Sequence, residues 1–155
     1  MADFISAKDQ QFLRDKFDTE LTNDVKISLF TQRETRIMLP GVDPQLSEYC
    51  AHANQLMNEV ASLSDKIDLN IYYFITDTSK AQEYKIDKVP AIVLESEGNS
   101  GAPRFFGLPA GYEFSTFLQD ILDVSNGNID LSEEAQQQLK EITKDVHILV
   151  FTTPT

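Results

Sequence analysis

The sequence predicts an α/β domain in which helices cover both faces of a mixed sheet. Three observations carry that prediction. Short apolar runs rich in β-branched and aromatic residues alternate with segments of helical period along most of the chain. The last two core strand segments are separated only by the turn Glu97-Gly98-Asn99-Ser100-Gly101, so they form a hairpin rather than a crossover. The resulting order, α-β-α-β-α-β-β-α, joins a βαβ unit to a hairpin and so needs parallel and antiparallel pairs in one sheet.

Ser6 can cap the first helix, with Asp9 three residues later near the positive end of its dipole. Phe12, Leu13, Phe17 and Leu21 then recur at helical spacing, and Thr22-Asn23-Asp24 breaks the pattern. Val25 to Phe30 alternates apolar and polar residues as a strand does. Thr31 to Leu46 reads as a loop, because Pro40-Gly41 and Asp43-Pro44 are turn signals, with room for a short strand at Arg36 to Leu39. From Ser47 the helical period returns, placing Cys50, Ala53, Met57, Val60 and Ser64 on one stripe flanked by Leu56 and Leu63.

Leu69 to Ile75 is almost continuously apolar, the pattern of a buried central strand. Ser79 to Tyr84 makes a short helix, and Ala91 to Leu94 and Arg104 to Gly107 are the hairpin strands. Phe114, Phe117, Leu118, Ile121 and Leu122 form the stripe of a helix that ends near Gly127; Tyr112, Phe114 and Phe117 read as core. Beyond it Asp130 can cap a further helix, with Glu133 as its reciprocal partner and Leu131, Ala135, Leu139 and Ile142 as its stripe. Val146 to Phe151 reads as a strand, and VHILVFT partly repeats VKISLFT at Val25 to Thr31.

The composition excludes several functions. A chain of 155 residues with a formal net charge of −12 lacks the clustered Lys and Arg that bind nucleic-acid phosphates or an anionic membrane surface. No apolar stretch is long enough to span a bilayer, and MADFISAKDQQFLRDKF has no signal-peptide core, so a cytoplasmic protein is expected. With Cys50 as its single cysteine the chain can form no internal disulfide. His52 and His147 have no paired-ligand spacing, so no metal site is expected, and nothing in the sequence points to a cofactor.

Several segments resemble the two-domain, glutaredoxin-like protein disulfide oxidoreductases of the thioredoxin superfamily. They are EVASLSDKI (Glu59 to Ile67), EYKIDKVPAIVL (Glu83 to Leu94), RFFGLPAGYEFSTFLQDILDVSNG (Arg104 to Gly127) and VHILVFTTPT (Val146 to Thr155). The resemblance implies a thioredoxin fold over residues 1–127, with an extra N-terminal helix. It also implies that residues 128–155 are a linker helix and the first strand of an incomplete second thioredoxin-like domain, whose Cys-x-x-Cys would follow.

In this alignment Ser47-Glu48-Tyr49-Cys50 occupies the Cys-x-x-Cys position of the first domain. Thiol-disulfide exchange needs an attacking thiolate and then a resolving thiol. In the family the first cysteine attacks, and here it is Ser47, whose hydroxyl forms no disulfide. Cys50 holds the resolving position, the reverse of monothiol glutaredoxins, which keep the first cysteine. The resemblance also implies a cis proline at Val89-Pro90 facing this motif. Tyr49, Val89 and Pro90 are then the candidate residues for binding a peptide substrate by strand-like pairing.

Simpler readings stand beside these. Ser47 has no base in view and reads as a helix N-cap. Cys50 lies on the apolar stripe and reads as a core thiol, with an activated helix-terminus thiol as the rival. His52 reads as a solvated helix residue. The function expected is that of a thioredoxin-like domain with a degenerate dithiol site, supporting or binding protein thiol and disulfide substrates. One alternative is self-association or partner binding through Val146 to Phe151, and another is a single-thiol redox protein using Cys50.

Overall fold

Ser6 starts the first helix as its hydroxyl accepts from the Asp9 N–H at 3.2 Å and donates to the Asp9 carboxylate at 2.6 Å. The computed structural model describes residues 3–33, 44–97, 102–127 and 131–152. In chain order the elements are α1 (Ala7–Glu20), β1 (Val25–Thr31), α2 (Pro44–Ala61), β2 (Ile67–Tyr73), α3 (Thr78–Glu83), β3 (Ala91–Ser96), β4 (Arg104–Phe106), α4 (Tyr112–Asn126) and α5 (Glu133–Lys140). The expected order holds through α4. The short strand expected at Arg36 to Leu39, like the middle of the Glu97 to Gly101 turn, lies outside the described residues.

The four strands are ordered β2-β1-β3-β4. β1 pairs in parallel with β2 (Val25 opposite Ile67) and antiparallel with β3 (Val25 opposite Ser96), and β3 pairs antiparallel with β4 (Ala91 opposite Phe106). Strand alternation divides the core into two layers. Ile27, Leu29, Ile92 and Leu94 pack on one face with Leu13 and Phe17 of α1, Met57 and Val60 of α2, and Phe117 and Ile121 of α4. Phe30, Ala91 and Val93 pack on the other with Ala81, Tyr84 and Ile86 from α3 and the turn after it.

The structure corrects several expectations. The apolar run around Leu69 forms an edge strand, not a central one; its side chains are mostly half-buried, and the centre is taken by β1 and β3. Phe12, on the α1 stripe, is exposed, while Leu13 and Phe17 fill the core. Tyr112, read as core, is 85 % exposed at the start of α4. α5 is capped by Ser132, whose side chain accepts from the Ala135 N–H at 3.2 Å, rather than by Asp130, which lies outside the described residues. Its apolar stripe finds no cover, and none of its residues is buried. Residues 146–151 form no strand: the apolar pattern is there, but no ladder holds it, and Val146, Ile148, Leu149, Val150 and Phe151 are all exposed.

Two polar anchors tie the layers together. Buried Ser125 near the end of α4 accepts from the N–H groups of Thr22 and Asn23 at 3.1 and 3.0 Å and donates to the Asn23 carbonyl at 2.6 Å. Glu59 of α2 holds the segment ahead of α1, its two carboxylate oxygens accepting from Phe4 N–H at 3.1 Å and Ile5 N–H at 2.9 Å, while Gln55 donates at 2.8 Å. Burial pushes the Glu59 carboxyl up, but hydrogen bonds from Gln55, Ile5 and Phe4 outweigh it and hold it below the ordinary 4.5. A depressed folded value stabilises the fold above the unfolded value and loses that contribution as pH falls through the folded one. Glu59→Ala is therefore expected to cost about 1–2 kcal/mol near neutral pH. The gap between wild type and variant in urea denaturation should close as the pH drops below 4.5. A gap that stays constant into acid would mean the contribution is packing rather than charge.

Candidate functional site

β1 and β3 meet where the chain brings Cys50 to the sheet. The Thr31 carbonyl at the end of β1 accepts from the Phe74 N–H at 2.9 Å, and the Thr31 hydroxyl reaches the Cys50 carbonyl at 3.4 Å. β3 follows the Val89-Pro90 peptide bond, which is cis, as the resemblance implied. Continuing the β1–β3 register by one pair beyond Phe30 and Ala91 sets Thr31 opposite Pro90. The Pro90 carbonyl in turn accepts from the Gly107 N–H at 2.9 Å, and Gly107 holds a φ of 116° that favours glycine. Cys50, Thr31, Pro90 and Gly107 thus belong to one end of the sheet.

The helix that carries Ser47 and Cys50 starts earlier than its periodicity indicated. α2 opens at Pro44, whose fixed φ and missing N–H suit the first position of a helix. Ser47 is therefore the fourth residue of the helix and not its N-cap, which corrects that reading. Ser47 is half-buried, Tyr49 is half-exposed and Cys50 is 1 % exposed. Cys50 is a free cysteine on the stripe that also buries Ala53, Met57 and Val60. Val89 is half-buried and Pro90 buried. His52 is half-buried, its ring edge-on to Phe4 with centroids 5.4 Å apart, and so is less solvated than expected.

Thr31 was not singled out by sequence, because its contact with Cys50 spans nineteen residues of chain. The same holds for two cations stacked on aromatic rings at this end: Arg33 lies 4.8 Å from the Tyr73 ring and Lys88 lies 5.3 Å from the Phe106 ring. Tyr49, Ile75, Phe106 and Tyr112 add exposed apolar surface around the same rim. A charged network lies toward the start of β1, where Lys26 donates to Tyr84 at 2.6 Å and Tyr84 donates to Glu95 at 2.7 Å. The hydrogen bonds to Glu95 and Tyr84 hold Lys26 well above its ordinary value. Burial raises Glu95, but the hydrogen bonds from Lys26 and Tyr84 outweigh it and keep its carboxyl low. Among the described residues no group of three His, Cys, Asp or Glu side chains is placed to hold a metal ion, and no helix is long and apolar enough to cross a membrane.

A four-stranded mixed sheet in the order β2-β1-β3-β4 with helices on both faces is a thioredoxin fold. The chain is similar in structure to a protein disulfide oxidoreductase and to the N-terminal domain of an alkylhydroperoxide reductase. It is 25 % identical to a protein disulfide oxidoreductase from Aeropyrum pernix K1, with a TM-score of 0.69 over 88 % of this chain and 54 % of that one. It shares its fold with the alkylhydroperoxide reductase AhpF from Enterococcus faecalis, at 23 % identity and a TM-score of 0.69 over 91 % of this chain and 62 % of that one. The separate N-terminal domain of that reductase matches at 23 % identity and a TM-score of 0.67, over 88 % of this chain and 60 % of its own. The chain therefore spans just over half to about three-fifths of the length of these three solved chains. No protein-family model and no curated protein matches it.

Proposed function

We propose that this domain serves protein thiol-disulfide exchange with a degenerate dithiol site, holding or orienting protein substrates rather than turning over dithiols itself. The carrying observation is Cys50: the sole cysteine of the chain, 1 % exposed, one helical turn after Ser47 at the sheet end that also holds Pro90. A buried thiol with no second cysteine neither attacks a disulfide nor resolves one within the chain. Ser47 stands at the position of the lost attacking cysteine and Cys50 at the resolving position. Half-exposed Tyr49 and half-buried Val89, set beside buried Pro90, supply the surface against which an extended protein segment would lie. A cytoplasmic setting fits a chain that uses its one cysteine unpaired.

Restoring the missing group tests this reading. Residues one turn apart in a helix lie within disulfide reach, since bridged Cα atoms are about 4.4–6.8 Å apart. Ser47→Cys is expected to form a 47–50 disulfide on oxidation and to gain dithiol-dependent reduction of insulin, while the wild-type chain shows none above background. Turnover by the wild type, or a variant that leaves both thiols free under oxidant, would sink the proposal.

A second reading, self-association through the terminal segment, rests on the exposure of Val146, Ile148, Leu149, Val150 and Phe151, which range from 62 % to 90 %. The third, a single-thiol redox role for Cys50, needs that sulfur at the surface, and its burial opposes it.

A further inference from the structure

We infer that residues 146–152 form a strand on the free edge of β2 in a second copy of this chain. The inference rests on the self-association reading and names the surface that receives the segment.

Three observations select that edge. First, the terminal segment repeats the strand that β2 already accepts. Val25, Ile27, Phe30 and Thr31 of β1 recur as Val146, Ile148, Phe151 and Thr152, with Leu29 replaced by Val150. One side of the segment carries Val146, Ile148 and Val150 and the other His147, Leu149 and Phe151, so both faces are largely apolar, as in a strand covered on both faces. Second, β2 stands at the margin of the sheet, paired on one side only among the described residues, and it is seven residues long, like the segment. The other marginal strand, β4, has three residues and offers too short a ladder. Third, the side chains on β2 match. In a parallel register copied from β1, His147 takes the place of Lys26 opposite Asp68, and Ile148 and Val150 lie beside Leu69 and Ile71. Phe151 takes the place of Phe30, which stacks on Tyr72 with centroids 5.1 Å apart.

An unpaired row of backbone N–H and C=O groups beside apolar surface is the common template for adding a strand from another chain. Reciprocal exchange of the segment closes a two-fold dimer. Within one chain Thr152 donates a hydrogen bond to Glu113 at the start of α4. Both groups are exposed, so releasing that contact costs little. The opposing force is the net charge of −12 carried by each copy, a repulsion that salt screens. Dimerisation is therefore expected to strengthen with ionic strength.

The experiment is sedimentation of the full chain over a wide concentration series at low and high salt. Beside it run the double variant Ile148→Lys/Val150→Lys and a mixture of Leu149→Cys and Asn70→Cys chains under mild oxidation. Both tail positions are exposed in the single chain, so at concentrations where the wild type is monomeric the lysine variant should melt at the wild-type temperature. The expected result is a concentration-dependent dimer, favoured by salt and lost in the lysine variant, with a disulfide linking residue 149 of one chain to residue 70 of the other. A wild type that stays monomeric at every concentration overturns both the inference and the self-association reading. A dimer that survives the lysine substitutions does the same for the segment. A dimer lost in the lysine variant but giving no 149–70 link keeps self-association and overturns the β2 edge.

Discussion

Alkylation of Cys50 in the native protein is expected to run at least about a thousandfold slower than in the unfolded chain. The thiol is 1 % exposed and packed in the helix stripe with Ala53, Met57 and Val60, so a reagent reaches it only when the structure opens. If that opening is global, the protection equals the folding equilibrium constant, and domains of this kind are stable by about 5–15 kcal/mol. The check is the rate of reaction with a small thiol reagent in buffer and in denaturant, with the denatured rate used to correct for denaturant effects. Reaction within a few-fold of the unfolded rate would mean that the first turns of α2 open by themselves. The single-thiol role would then displace the degenerate-site reading.

Phe30→Ala is expected to cost about 3–5 kcal/mol in chemical denaturation. Phe30 is completely buried on the α3 face of the sheet, stacked on Tyr72 and tilted against Tyr84, with its ring centroid 5.4 Å from that of Tyr84. Truncating it removes the middle of the smaller core layer, whose other members include Ala81, Ile86 and Val93. Phe30 also immediately precedes Thr31, the residue that meets Cys50. The two predictions are linked: if Cys50 reacts only through global unfolding, the same substitution should speed its alkylation by roughly two orders of magnitude or more. An unchanged alkylation rate in a clearly destabilised variant would separate the opening of α2 from that of the sheet. A cost below about 1 kcal/mol would mean the layer collapses around the lost ring.

The α-helical periods and the apolar strand runs are local signals, and the elements they mark formed where those signals are densest. α1 carries its Ser6–Asp9 cap, and α4 ends at Gly127 with the left-handed φ of 63° that glycine suits. What escaped the sequence depends on partners far along the chain. The hydrophobic run at Leu69 shows that both faces of β2 meet apolar surface, yet it cannot show that one edge lacks a neighbour. Residues 146–151 have the pattern of a strand without the ladder that makes one. Asp43-Pro44 serves turn and helix start alike, so the true beginning of α2 was hidden, and with it the interior position of Ser47. At the site, Cys50, Ser47 and the Val89-Pro90 bond came from resemblance to a family, whereas Thr31, Arg33 and Lys88 are there through register alone.

The direction of α4 has a consequence for everything that follows it. The helix starts at the Cys50 end of the sheet, five residues after Gly107, and finishes at the other end, where Ser125 is fastened to Asn23. Its fifteen residues measure about 22 Å. The chain then comes back the same distance, because Thr152 meets Glu113 at the head of the helix. The segment is thus on a leash whose length returns it to the Cys50 end of its own domain. A tethered segment of this kind works at an effective concentration of about millimolar order without any strong contact of its own. Here the leash holds the segment beside its own domain without seating it in the sheet, so its apolar side chains stay in water.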